Sequence, residues 1–162
     1  MLTNKLIERG HKNIAFFGPT HLRGTSNRLA GHYKALKKAG LPVNEDWHLD
    51  VRIMESEGWE KQIDKPIREL LTLYPDLTGF VVSTQATAEA LCRVVKEQPD
   101  REFPAEESIA SLFETAVPPF EALAWIQIPG KNMCEKAREI LLEDHPADYE
   151  PGHIRIKPSF WK

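Results

Sequence analysis

Asn13-Ile-Ala-Phe-Phe17 is an apolar run held between Gly10 on one side and Gly18-Pro19 on the other. A short apolar run with breakers at both ends reads as a buried strand, because a buried helix needs roughly ten residues or more. Before it, residues 2–9 put Leu2, Leu6 and Ile7 on one helical stripe, and Gly10 stands where a helix-ending glycine belongs. After it, a polar loop over residues 20–26 leads to a helix expected at 28–39, with Leu29, Tyr33 and Leu36 on one stripe. Ser26 or Asn27 is its expected N-cap, and Gly40 its end.

The same alternation continues to the end of the chain. Further strands are expected at 47–51, 78–82, 108–113, 125–128 and 152–157, and helices at 58–73, 86–96 and 133–142. Pro66 falls inside the helix of 58–73 and predicts a kink there or two consecutive helices. The connections between strands are too long for hairpins, which calls for an α/β fold with a doubly wound parallel sheet. No internal repeat or low-complexity tract interrupts the pattern.

Bulk composition narrows the function classes. The 162 residues suit one well-formed core, and 41% hydrophobic with 28% charged residues is the balance of a folded, non-membrane chain. No apolar run nears the ~20 residues that span a bilayer, and MLTNKLIERG has no signal-peptide core, so no membrane partner is expected. Cys92 and Cys134, without CxxC spacing, point to small buried hydrophobes in a reducing cytoplasm. The net charge of −3 with scattered basic residues argues against direct nucleic-acid binding by this chain, which would need a basic face.

In an open parallel sheet, ligands bind at the carboxyl ends of the strands. Residues 18–27, 52–57, 83–87 and 113–119 are those ends here, and the first is the richest. Arg23, Thr25, Ser26, Asn27 and Arg28 bring two guanidiniums and several hydroxyl or amide groups beside a helix N-terminus with free N–H groups. A guanidinium is a fixed fork of donors suited to vicinal hydroxyls, carboxylates or phosphates. The plainer reading of Arg28 is a surface salt bridge in the first helical turn.

Other constellations carry less. The six histidines include no i, i+4 pair, so no metal is expected. There is no GxSxG elbow, no GxxxxGK phosphate loop and no GxGxxG, and no cofactor is expected. Thr25-Ser26 near His21 or His32 has no third member to orient it, which leaves no candidate catalytic residue. Trp59 and Trp125 fit packing roles better than ligand stacking.

Leu6-Ile-Glu-Arg-Gly-His-Lys-Asn-Ile-Ala15 resembles the start of the C-terminal subdomain of the effector domain of LacI/GalR-type transcriptional regulators. Arg28-Leu-Ala-Gly31, followed by Ala35-Leu36 and Ala39-Gly40-Leu41, resembles that family's arginine-bearing helix. Phe103-Pro104 with Ser108-Ile109, Pro118-Pro119 with residues 125–129, the helix of 133–142 and residues 153–158 follow in the family's order.

The resemblance implies a periplasmic-binding-protein-like fold, in which two subdomains close over a small effector and signal to a DNA-binding headpiece. Residues 1–122 would be the C-terminal subdomain, and 123–162 a crossover and return segment belonging to the N-terminal subdomain. The headpiece and most of the first subdomain are not in this sequence. DNA would thus be reached only through an absent N-terminal headpiece, and this chain alone should not switch.

The implied partners are a sugar-like or anionic metabolite and a second copy in a homodimer, in the cytoplasm. By motif position, Arg28 would grip ligand hydroxyls or a carboxylate, with Arg23 and Thr25 as companions. Ile53 stands near a position that is often a stacking aromatic, Thr84-Gln85 stands for the family's Asn-Asp pair, and the acid ending the fourth strand is replaced by Phe113 with Glu114 one step on. Strand side chains alternate in direction, so Glu114 cannot simply stand in for that acid. Two other classes remain open: a small doubly wound enzyme acting on a phosphorylated substrate at the Arg23/Arg28 loop, and a self-associating module using an exposed strand edge.

Overall fold

A computed structural model describes residues 1–51, 59–98, 108–113, 124–127, 129–142 and 159–161. Its elements are α1 (Leu2–Glu8), β1 (Ile14–Phe17), α2 (Arg23–Lys38), a 3-10 turn (Glu45–Trp47), β2 (His48–Leu49), α3 (Trp59–Leu73) and β3 (Gly79–Val82). They continue with α4 (Gln85–Lys96), β4 (Ile109–Phe113), β5 (Ala124–Gln127), α5 (Gly130–Leu142) and β6 (Ser159–Trp161).

One six-stranded sheet runs in the order β2-β1-β3-β4-β5-β6. The first five strands are parallel, and β6 pairs antiparallel with β5, Trp125 opposite Trp161. The doubly wound α/β fold is therefore present, with an antiparallel strand at one edge. β5 and β6 continue the sheet on the β4 side. The strand expected at 152–157 lies outside the described residues.

The two faces of the sheet bury two apolar clusters, and strand alternation decides which residue goes where. Ala15, Phe17, Phe80 and Val82 face α3 and α4, joining Ile63, Ile67, Leu71, Leu91 and Val94. Ile14, Phe16 and Val81 face α1 and α2, joining Leu2, Leu6 and Leu36. β1 and β3 are buried along both faces, which is why their sequences read as continuous apolar runs rather than alternating ones. α5, by contrast, is exposed over most of its length, including Met133 and Leu142.

Helix ends follow the glycines. Gly10 (φ 93°) and Gly40 (φ 68°) take left-handed backbone, and behind Gly40 the Leu41 amide reaches back to the Leu36 carbonyl at 3.0 Å while Gly40 bonds Lys37 at 3.1 Å. That pattern closes a helix through the glycine and tucks Leu41 against Leu36 in the same cluster. Pro66 does not divide its helix: α3 runs unbroken from 59 to 73, held by the buried Ile63, Ile67 and Leu71 on one side of it. β2 is shorter than expected, because Trp47 belongs to the 3-10 turn whose Asn44 side chain accepts from the Asp46 amide.

α2 starts at Arg23, five residues earlier than the sequence suggests, with Leu22 rather than Ser26 or Asn27 as its N-cap. The cause is packing: Thr25 is 2% exposed and its methyl is directed at Gly18, drawing the first turn onto the sheet. Gly18 itself admits no side chain, since an added Cβ would lie 1.8 Å from Ser83 Oγ and 2.8 Å from Ser83 Cβ. Gly18→Ala should lower stability in urea unfolding by about 1–3 kcal/mol as an overpacked site does. A double-mutant cycle with Ser83→Gly should return a coupling of about 1 kcal/mol or more; an unchanged midpoint for Gly18→Ala would show that this contact is absent.

Candidate functional site

The strand order reverses at β1, which has β2 on one side and β3 on the other, so the chain leaves the sheet in opposite directions there. A crevice opens at such a switch point outside the carboxyl ends of the strands, and ligands of doubly wound sheets bind in it. Gly18 and Ser83 are the residues that follow β1 and β3 at this point. The Gly18 amide donates to the Leu49 carbonyl at 3.0 Å and the Ser83 amide to the Phe17 carbonyl at 2.9 Å, so the three strand ends are tied together.

Arg28 reaches this junction from α2. Its Nη1 donates to the Ser83 carbonyl at 3.3 Å, and partial loss of water holds its pKa below the usual guanidinium value. Desolvation disfavours the charged form unless a partner compensates. Arg23 is exposed at the first position of α2, whose first turn has no acidic residue and no side-chain cap. Thr25 is buried against Gly18, where it seats the helix on the sheet. Gln85 opens α4, and its Nε2 donates to Glu89 Oε1 of the same helix at 2.9 Å. Ile53 and Glu114 lie outside the described residues. The structure thus brings Arg28 and Thr25 to one junction and places Arg23 and Gln85 on the two helix starts that flank it.

Three residues at this junction were not singled out by sequence. Ser83 is 3% exposed, and its hydroxyl is buried with no hydrogen-bond partner. An orphaned hydroxyl costs desolvation without return, and in native proteins it calls for an explanation. Asp50 Oδ1 accepts from the Thr20 amide at 2.9 Å, fixing the loop between β1 and α2 to the end of β2. Gly18 supplies the close approach. The signal for Ser83 and Gly18 was available in principle, as small residues directly after two apolar runs; nothing local marks Asp50. Thr84 caps α4, its hydroxyl accepting from the Thr87 amide at 3.3 Å.

Below the junction, on the α1/α2 face, lies a buried histidine. His32 Nδ1 is 3.1 Å from Thr3 Oγ1, and its ring stacks obliquely on Phe16 with centroids 5.7 Å apart. Phe16 in turn meets His48 at 6.0 Å. Burial pushes His32 down to about 4; a hydrogen bond with the Ile14 backbone opposes this and the nearby His48 adds to it. His48 is also lowered by burial, against the opposing pull of Asp50 and the Gly18 backbone. Among the described residues, no group of three or more His, Cys, Asp or Glu could hold a metal ion, and no helix is long and apolar enough to cross a membrane.

Residues 3–159 match the family of periplasmic binding protein-like domains, nearly the whole chain. The chain belongs to that family. It is 32% identical over 89 residues to the maltose regulon regulatory protein MalI of Escherichia coli K12, a match covering 54% of this chain and 25% of MalI. Among solved structures it resembles the LacI-family sugar-binding transcriptional regulator from Escherichia coli complexed with phosphate, with TM-score 0.72, 22% identity, and coverage of 99% of this chain and 58% of that one. It also resembles the transcription regulator CcpA of Lactococcus lactis, with TM-score 0.71, 20% identity, and coverage of 99% and 58%. The chain therefore spans about a quarter of this curated relative and little more than half of these solved structures. These structural likenesses establish the periplasmic-binding-protein-like fold; the two solved structures are of transcription regulators, and MalI is a regulon regulatory protein.

The buried histidine gives a pH prediction. Unfolded, His32 takes a proton near pH 6.5; folded, only near pH 4. Its neutral form is thus favoured by folding, and this stability is complete above pH 6.5 and lost as pH falls from 6.5 to about 4. The loss attributable to His32 should be about 3 kcal/mol, at 1.36 kcal/mol per pH unit. His32→Phe should flatten that part of the profile of unfolding free energy against pH; an equally steep profile in the variant would assign the acid sensitivity elsewhere.

Proposed function

We propose that the chain is the effector-sensing portion of a LacI-type transcriptional regulator, binding a small sugar-like or anionic metabolite at the β1/β3 crevice. The observation that carries this is Arg28, held over the switch point by the Ser83 carbonyl, in a domain of the periplasmic binding protein-like family. A sugar-type effector accords with the sugar-binding regulator of Escherichia coli, and a charged one with the phosphate in that structure. Arg28 is the primary ligand contact in this reading. Arg23 and Gln85 approach the ligand from the two helix starts, Ile53 and Glu114 keep the ligand-contact roles that the family resemblance implies, and Thr25 acts by seating α2.

The sheet through β4 serves as the C-terminal subdomain, and residues 123–162 provide the crossover and return, with the exposed α5 covered by the rest of the regulator. Closure over the ligand shifts a two-state equilibrium, which works only when the ligand contacts the two states differently. A DNA-binding headpiece and a second copy of the chain complete the device, a cytoplasmic homodimer without enzymatic activity.

A thermal-shift panel of sugars and sugar phosphates tests the proposal. A ligand present at 100 times its Kd stabilises by about 2.7 kcal/mol, or roughly 5–10 °C for a domain of this size. The expected result is a shift of that order for at least one member of the panel, lost in Arg28→Ala. No shift with any member at millimolar concentration would contradict it.

A further inference from the structure

We infer that the buried Thr3–His32 pair is a positioning device for ligand recognition: it fixes the rotation of α2 so that Arg28 stays over the carboxyl ends of β1 and β3. This rests on the reading of the β1/β3 crevice as the ligand site, and adds two residues that set its grip without touching the ligand.

Three observations converge on it. The first is the placing of the pair on α2. That helix buries Thr25, His32 and Leu36, which mark the face laid on the sheet. Arg28 lies three residues after Thr25 and four before His32, so it projects from the same side of the helix, one turn from each. Thr25 seats the turn before it against Gly18. The turn after it is held by His32, 3% exposed, whose Nδ1 is 3.1 Å from the Thr3 hydroxyl of α1. Arg28 is thus bracketed by two polar seats on two different supports.

The second observation is how firmly the imidazole is held. Burial keeps it neutral at ordinary pH, pushing its pKa down to about 4, and a neutral ring has one donor and one acceptor. The Thr3 hydroxyl and the Ile14 backbone are its two hydrogen-bond partners, one on α1 and one on β1. Phe16 of β1 and Tyr33 of α2 lie obliquely against the ring, with centroids 5.7 and 5.8 Å away. α1 is itself a firm reference, because Leu2 and Leu6 are buried in the cluster beneath it.

The third is direction. The remaining contacts of this face, Leu29 and Leu36 in the apolar cluster, are non-directional and tolerate a turn of the helix about its axis. Side chains stand about 5–6 Å from a helix axis, so a turn of about 20° sweeps one sideways by about 2 Å. The Arg28 bond to the Ser83 carbonyl is already long at 3.3 Å, and a sweep of that size breaks it in this side-chain conformation. A hydrogen bond between two buried polar groups permits one geometry and resists the turn.

The test uses the full chain and takes two readings. The first needs no ligand: it is the amide resonance of Thr84, whose peptide group contains the Ser83 carbonyl that Arg28 bonds. Arg28→Gln calibrates the shift that follows loss of this bond. Thr3→Val keeps the shape and removes the hydroxyl, Thr3→Ser keeps the hydroxyl, and His32→Phe keeps a ring without hydrogen bonds. Ile67→Val, in the cluster on the other face of the sheet, controls for lost packing. Thr3→Val and His32→Phe should move the Thr84 resonance in the direction of Arg28→Gln, while Thr3→Ser and Ile67→Val leave it near the wild type.

The second reading is the Kd for a panel of sugars and sugar phosphates that includes glucose, maltose and glucose 6-phosphate. It should rise at least threefold in Thr3→Val and His32→Phe and stay near the wild type in the other two. Should His32→Phe fail to fold, Thr3→Val decides. A Thr84 resonance unmoved in Thr3→Val, or moved as far by Ile67→Val, overturns the positioning role. Movement of Thr84 with the Kd unchanged separates the pair from recognition and also overturns the inference. A panel silent toward the wild type, with Thr84 responding as expected, overturns the ligand site and leaves the hold on Arg28 standing.

Discussion

Ser83 fills the space that a side chain at Gly18 would need, and through that close approach the ends of β1 and β3 meet without an intervening Cβ. The rest of the site is arranged around this contact. With Gly18 flat against β3, the chain turns at Pro19 and Leu22 into α2, Thr25 drops into the gap beside Gly18, and Arg28 arrives one helical turn later over the Ser83 carbonyl. A larger residue at position 18 would push α2 outward and carry both arginines with it. The site is thus a consequence of backbone packing at a switch point, and its side chains are positioned by the fold rather than by one another.

The two faces of the sheet divide the work. Toward α3 and α4 the core is mainly apolar, with Ser111 donating to the Val82 carbonyl at its β4 edge, and the ion pairs of that side, Arg68 with Glu97 and Arg93 with Asp64, sit outside it where exposed pairs add little stability. Toward α1 and α2 the core contains His32 and Thr3, hydrogen-bonded to each other beneath the helix that carries Arg28. A buried polar pair fixes how a helix is rotated more tightly than apolar contacts do, since only one geometry satisfies both groups. Here it constrains α2, the helix whose rotation determines where Arg28 points.

Much of this was legible in the sequence. Apolar runs with breakers gave the strands through β5 to within a residue or three, because β1 and β3 are buried on both faces and leave no polar alternation to confuse with a helix. The glycine ends of α1 and α2 were readable, since left-handed backbone has a strong preference for that residue. The start of α2 was not: Ser26 and Asn27 are better caps than Leu22, and only the tertiary burial of Thr25 explains why the helix begins before them. Arg28 stood out through a resemblance and through chemistry, Ser83 was marked only as a small residue after an apolar run, and Asp50 acquires meaning only from Thr20, 30 residues away in sequence. The continuation of the sheet through β5 and β6 was equally hidden, because pairing partners across such distances leave no local trace.

The account places ligand recognition at the carboxyl ends of β1 and β3, and backbone-amide NMR tests that location most directly. Titration with the sugar or sugar phosphate that most stabilises the chain should move the resonances of Gly18, Thr20, Arg23 to Arg28 and Ser83 to Gln85. It should leave those at the opposite end of the sheet, Gly10, Asn13 and Thr78, in place. Shifts confined to that opposite end, or spread over α5 alone, would contradict it.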